Sequence, residues 1–274
     1  MKIGIVGYGF VGKAVAHGFQ KAELIIVDPI LGKTPSELVE QKPEVVFICV
    51  PTPMGENGAI NVSIVEKVLD EMSSLDNTLF VLKSTVTPDN VDALFKKYKN
   101  FVYNPEFLTE KNALNDFEFP FMHVFGGEPN NCKKLHSVYK KWSICAPCTA
   151  KFMSAQEASF VKYSINSYLA TRVSFWNQME QLVQSKGASY ENVRDAFICD
   201  PRIGMSHTNV PGHDGRRGFG GSCFVKDSNA LLHYSQNKLS VLKEAWNYNC
   251  DVRNQYGDIL QREKDQHVSF VKIE

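Results

Sequence analysis

The chain has no surplus of charge: 30 Lys and Arg are matched by 30 Asp and Glu over 274 residues. A neutral chain has no global field to attract nucleic acid or an anionic membrane, so neither is expected as a partner. It also lacks any apolar run near the ~18 to 20 residues that a transmembrane helix needs. The opening "MKIGIVGYGFVG" is too short and too rich in glycine for a secretory signal. The cysteines number seven, an odd count scattered along the chain. That pattern argues against a disulfide framework and for the reducing cytoplasm. One pair, Cys145 and Cys148 in "CAPC", has redox or half-zinc-site spacing, but no second pair matches it and the seven histidines do not cluster, so no metal is expected. Internal repeats and low-complexity segments are missing too.

What the chain has in quantity is alternation. Short runs rich in Val, Ile and Phe predict strands at 2–7, 24–28, 44–50, 78–85, 101–104 and 122–127. Between them, apolar residues at helical spacing predict helices at 11–22, 63–75, 88–99 and 129–142. Such alternation predicts a doubly wound parallel sheet over residues 1–152. From residue 153 to 274 the pattern is helical. A segment at 154–187 has no Pro or Gly before Gly187, and Ser154 with Glu157 has capping-box spacing. A helix of that length would reach about 45 Å, more than a small domain needs, so it is expected to supply the face of a homodimer. Further helices are expected at 189–197, 226–236 and 241–264, and the closing "HVSFVKIE" is expected as a strand. The fold class is thus α/β: a Rossmann-type sheet followed by an all-helical domain with one long central helix.

"GYGFVG" fits G-x-G-x-x-G directly after a predicted strand and at the start of a predicted helix. Gly7 permits the tight turn, Gly9 the approach of a pyrophosphate, and Gly12 close packing of helix on strand. With Phe10 and Val11 they open a helix whose N-terminus favours phosphate. Asp28, 21 residues beyond Gly7, ends the second strand where an acid would hold the adenosine ribose. A carboxylate there repels a 2′-phosphate, which favours NAD over NADP. The third and fourth strands end in "CVPTPM" and "KSTVTPDN". Pro51, Thr52 and Thr85 are candidates for the nicotinamide end, with a local turn role as the alternative.

Three constellations fall at element ends. "NPEFLTE" carries Glu106 and Glu110, which share a face if the segment is helical. "EASFVKYSINSY" carries Lys162 and Asn166 one turn apart, and "GRRGFGGSCFVKD" sets Cys223 behind four glycines. In this order, with the glycine fingerprint and "KST", these motifs resemble the UDP-glucose/GDP-mannose dehydrogenase family from Met1 to about Ile259. The resemblance implies oxidation of a nucleotide-sugar C6 alcohol to a carboxylate with two NAD+ through a cysteine thioester. It makes Cys223 the nucleophile and gives Lys162 and Asn166 to the developing oxyanion. Thr85 and Asp227 would move protons through water. Glu106, or alternatively Glu110, would activate the hydrolytic water. Phe107, Leu108, Gly218, Phe219, Gly220 and Gly221 would line the sugar together with Lys162 and Asn166.

The chain departs from the family pattern in two places. Family members carry a third, nucleotide-binding domain, which a chain reaching only Glu274 is expected to lack; a smaller phosphosugar is then an alternative substrate. In "NDFEFPFMHVFGG" an expected arginine is replaced by Phe121 and Met122, with His123 next to them and Arg216–Arg217 as candidate diphosphate contacts. Two other readings remain open: a two-electron β-hydroxyacid dehydrogenase, and an NAD-binding module without turnover.

Overall fold

The computed structural model describes residues 1–55 and 58–274. The chain divides into two compact units, one of Met1–Thr52 with Asn61–Lys162 and the other of Pro53–Ile60 with Tyr163–Glu274.

The first unit is built on seven strands: β1 (Lys2–Val6), β2 (Glu23–Val27), β3 (Val45–Ile48), β4 (Leu79–Leu82), β5 (Phe101–Tyr103), β6 (Met122–Gly127) and β7 (Thr149–Met153). They pair in the order β2-β1-β3-β4-β5-β6-β7. The helices between them are α1 (Phe10–Gly18), α2 (Ser36–Gln41), α3 (Ser63–Glu71), α4 (Pro88–Lys97), α5 (Ala113–Glu118) and α6 (Pro129–Trp142). The first five strands are parallel, as the alternation predicts. Their residues alternate between two cores: Val46, Ile48, Phe80 and Leu82 in one, Val45, Phe47, Leu79 and Val81 in the other. Both faces are therefore covered, which is why these strands read as unbroken apolar runs.

The edge differs from the expected all-parallel sheet, because β6 runs antiparallel to β5. The connection between them, residues 104–121, holds α5 and a single 3-10 turn, and the chain doubles back. Strand β7, parallel to β6, is not foreseen from sequence. Its "TAKFM" has no run of β-branched residues and is largely exposed.

The long helix α7 (Ala155–Ser185) begins with the expected capping box: the Ser154 N–H donates to Glu157 Oε2 at 2.8 Å, and the Glu157 N–H donates to Ser154 Oγ at 3.2 Å. Its stretch from Tyr163 onward belongs to the second unit with α8 (Tyr190–Phe197), α9 (Ser222–Tyr234), α10 (Ser240–Asn254) and α11 (Gln261–Lys264). The helix expected over 241–264 is broken after Asn254, and Gly257 adopts a left-handed φ of 71° that an α-helix does not accommodate. The expected terminal strand has no strand partner. Residues 270–273 lie along α10 instead, with Asn254 Nδ2 donating to Phe270 O, Trp246 Nε1 to Val271 O and Asn247 Nδ2 to Ile273 O. Among the described residues no helix is long and apolar enough to cross a membrane.

Candidate active site

In the order β2-β1-β3-β4-β5 the sheet reverses direction at β1, and ligands of open α/β sheets sit beyond the carboxyl ends of strands at such a point. The glycine turn follows β1 there. Gly7 has φ +91°, and a Cβ on it would meet Cys49 O at 2.7 Å. A Cβ on Gly12 would lie 1.9 Å from Gly7 O, so α1 could not pack where it does. Gly9, by contrast, faces open space and caps α1 with no side chain. Phe10 and Val11, half-buried, begin the helix behind it. The Asp28 carboxylate accepts the Tyr8 N–H at 2.6 Å and the Ile30 N–H at 2.8 Å, which ties the end of β2 to the glycine turn. An uncapped helix N-terminus with room above it and an acid at the β2 end fits the pyrophosphate and ribose of NAD. Beside it Thr52 Oγ1 donates to Thr85 O at 2.8 Å, joining the loops after β3 and β4, and Pro51 is exposed.

Beyond β5, "NPEFLTE" is not helical until a 3-10 turn begins at Glu110, so the two glutamates do not share a face. Glu106 is buried at 7% exposure, whereas Glu110 is exposed. Lys162 Nζ donates to Glu106 Oε1 at 2.9 Å and to Glu106 O at 2.8 Å. The other carboxylate oxygen accepts the Leu108 N–H at 2.6 Å, and Phe107 places its ring 5.5 Å from the Lys162 ammonium. A second buried cation, Lys83, donates to Asn104 Oδ1 at 3.0 Å, and the Tyr139 hydroxyl donates to the same oxygen at 2.8 Å. Burial pushes the Lys83 ammonium down to about 8, with Lys162 adding to the fall while Cys49, Glu106 and Cys145 oppose it. Burial likewise pushes the Cys49 thiol up to about 12 and His123 down to about 4. His123 is neutral near pH 7 and packs against Tyr139 with ring centroids 4.5 Å apart and planes tilted by 50°, a packing role rather than a replacement cation. Lys83, Glu106, Phe107, Leu108, His123 and Tyr139 border one small cavity of about 30 Å³.

In the second unit Cys223 stands in the first turn of α9, not in a loop ahead of it, because the helix starts four residues earlier than its sequence pattern suggests. Asp227, fully buried, accepts Asn166 Nδ2 at 2.6 Å on one oxygen and Lys226 Nζ at 2.6 Å on the other. Two of the glycines before the thiol are crowded by the protein's own side chains. A Cβ on Gly218 would meet Asn249 Oδ1 at 2.5 Å, and one on Gly220 would meet Arg253 Nη2 at 2.2 Å. Three backbone N–H groups here are held by side chains: the Gly218 N–H donates to Asn177 Oδ1 (2.9 Å), the Phe219 N–H to Asn249 Oδ1 (2.7 Å) and the Gly221 N–H to Glu263 Oε1 (2.9 Å). A cavity of about 220 Å³ opens against Gly218, Phe219 and Gly220, bordered also by His207 and His213. Arg216 is engaged by Asp258 at 2.9 Å and Arg217 by Glu180 at 2.6 Å, so both diphosphate candidates are already paired. Cys145 and Cys148 are free thiols, and among the described residues no group of His, Cys, Asp and Glu could hold a metal.

Sequence reasoning missed Lys83, Asn177, Asn249, Arg253 and Glu263. Lys83 left a signal, a cation ending the apolar run "TLFVLK"; a helical Asn or Arg leaves none.

A model of the NAD-binding domain of the UDP-glucose/GDP-mannose dehydrogenase family matches residues 32–143, and a model of the family's central domain matches 156–251. Together they span more than half of the chain. The chain belongs to the UDP-glucose/GDP-mannose dehydrogenase family. The UDP-glucose 6-dehydrogenase of Rickettsia felis is 36% identical over 210 residues, 72% of this chain and 45% of its own length. That of Pseudomonas aeruginosa is 35% identical over 208 residues, again 45% of its length. This family member therefore spans a little under half the length of these relatives. Among solved structures, a UDP-glucose dehydrogenase from Pyrobaculum islandicum is similar with a TM-score of 0.78 and 25% identity, over 90% of this chain and 67% of that one. A GDP-mannose dehydrogenase from Pseudomonas aeruginosa, 24% identical with a TM-score of 0.64, shares the fold. Cys223, Lys162, Asn166 and Asp227 fall inside the central-domain match, while Arg253 and Glu263 lie beyond it.

Proposed function

We propose that this chain oxidises the C6 alcohol of a nucleotide sugar, or of a smaller phosphosugar, to a carboxylate through a thioester on Cys223. NAD+, when bound, supplies the hydride acceptor for both oxidation steps. The Cys223 thiol adds to the C6 aldehyde to give a thiohemiacetal; loss of a hydride and a proton from that adduct leaves the thioester, and water cleaves it to the acid and the free thiol. The positive end of α9 favours an anionic sulfur at Cys223. Lys162 and Asn166 stabilise the oxyanion, as a cation and an amide donor do where water is excluded. Asp227 and Thr85 pass protons through water, and Glu106, aimed by Lys162 and the Leu108 N–H, accepts the proton of the hydrolytic water. Glu110 is the weaker candidate because it is exposed. Gly218, Phe219, Gly220 and Gly221 form the wall against the hexose.

One observation carries this reading: a chain with a dinucleotide turn also fixes a thiol at a helix N-terminus behind a tightly held glycine segment. A two-electron dehydrogenase needs no such thiol. We also read α7 as the face for a second copy, because Tyr168, Phe175 and Leu182 are 62%, 52% and 52% exposed and recur every seven residues. The deciding assay incubates the protein with NAD+ and a panel of nucleotide sugars. Two NADH per uronate, lost in Cys223→Ser, are expected. Undiminished turnover in Cys223→Ser, or activity on small 3-hydroxy acids that ignores Cys223, overturns the proposal.

A further inference from the structure

The peptide ahead of Cys223 is held by a residue that the family match does not reach. Glu263 is fully buried in α11 and uses both carboxylate oxygens. Oε1 accepts the Gly221 N–H and Arg253 Nη2, each at 2.9 Å, and Oε2 accepts the Leu260 N–H at 2.8 Å. Arg253, 2% exposed, extends the chain of contacts by donating Nη1 to Asp214 Oδ2 at 2.9 Å. Gly221 is the cap of α9 and has φ 77°, so it has no side chain with which to fix the first turn itself. Its N–H, two residues before the thiol, is fixed instead by a carboxylate from 42 positions away. The segment that brings Glu263 there is itself anchored: Gln266 O accepts the Met54 N–H at 3.1 Å, and Val268 and Phe270 are buried.

We infer that Glu263 is a positioning residue for Cys223: its bond to the Gly221 N–H sets the first turn of α9 and so the direction and reactivity of the thiol. The inference rests on the reading of Cys223 as the nucleophile, but its test needs no substrate and stands or falls separately from turnover.

The experiment is site-resolved alkylation. The protein is treated with iodoacetamide between pH 6 and 9, and adduct formation at Cys223 and at the exposed Cys199 is followed by peptide mass spectrometry. Glu263→Gln keeps an oxygen for the Gly221 N–H and is expected to leave the Cys223 rate within about twofold of the parent. Glu263→Leu removes the acceptor and is expected to shift the Cys223 rate about fivefold or more, the scale of one lost hydrogen bond, with Cys199 unchanged. Glu263→Asp keeps the charge beside Arg253 but withdraws by one methylene; it is expected to fall between the two and carries the test if the leucine variant does not fold. An unchanged Cys223 rate in Leu and Asp variants overturns the inference. So does an equal change in all three variants, or a parallel change at Cys199, since either would report general loosening.

Discussion

The two units place their reactive groups by opposite means. In the first, the polar residues follow directly from strands: Asp28 after β2, Thr52 after β3, Lys83 and Thr85 after β4, Glu106 after β5. Parallel strands with both faces covered deliver those residues to one edge with little local help. Among its described residues the second unit has no sheet to do this. The backbone from Gly218 to Gly221 is fixed by amide and carboxylate side chains from α7, α10 and α11, each ending on a backbone N–H. A site carried by a sheet depends on burial and charge pairing. A site carried by side-chain-to-backbone bonds depends on individual acceptors, and substitutions should separate the two.

The largest effect is expected at the buried pair of the first unit. Lys162→Met leaves the Glu106 carboxylate, 7% exposed, without its cation. Breaking such a pair costs about 3–5 kcal/mol, read as a drop in urea midpoint, and on the proposed role of Lys162 at the oxyanion kcat should fall by about a hundredfold or more. Next comes Lys83. Its folded pKa of about 8 lies below the ordinary 10.5, so between those values the unfolded chain binds a proton that the native protein has released. Stability therefore rises with pH across that window, and below pH 8 the full burial penalty remains. Lys83→Met should be more stable than the parent near pH 7 by up to about 3 kcal/mol, less whatever the bond to Asn104 contributes. That advantage should fade by pH 10.5, when urea unfolding of the two proteins is compared at both pH values. Cys49, Glu106, Cys145, Lys162 and His123 surround the site in both proteins, and loss of the Lys83 charge lets Cys49, Cys145 and His123 rise. A constant difference at the two pH values would show that Lys83 is not the buried cation described here.

The contrast between the units also accounts for what could be read from the sequence. Period-two and period-3.6 patterns are local, so strands β1 to β6 and helix α7 were legible, and so were the residues that end those strands. The reversal of β6 was not, because the connections into β5 and β6 are equally long and no residue within a strand marks its direction. Glu106 and Glu110 share a face only if their segment is helical; the extended "NPEFLT" buries the favoured Glu106 and exposes Glu110. The glycines before Cys223 were recognised, but the reason for them was not. Asn249 and Arg253 crowd Gly218, and Arg253 and Glu263 crowd Gly220, from positions 31 to 43 residues away, and nothing short-range marks them.

Asn249 gives the smallest of these effects and the sharpest contrast. Its Oδ1 accepts the Phe219 N–H at 2.7 Å and its Nδ2 donates to Phe219 O at 3.0 Å, so one amide satisfies both polar groups of a buried peptide. Asn249→Ala leaves those groups unpaired and removes the atom that a Cβ on Gly218 would strike. A stability loss of about 2 kcal/mol is expected, the scale of a buried polar group left unsatisfied. NAD affinity measured by calorimetry should not change, because the glycine turn, Asp28 and Thr52 all belong to the other unit. Asn249→Asp separates the two bonds: it keeps an acceptor for the Phe219 N–H but loses the donor to Phe219 O. If the acceptor dominates, the aspartate variant should retain most of the stability that alanine loses.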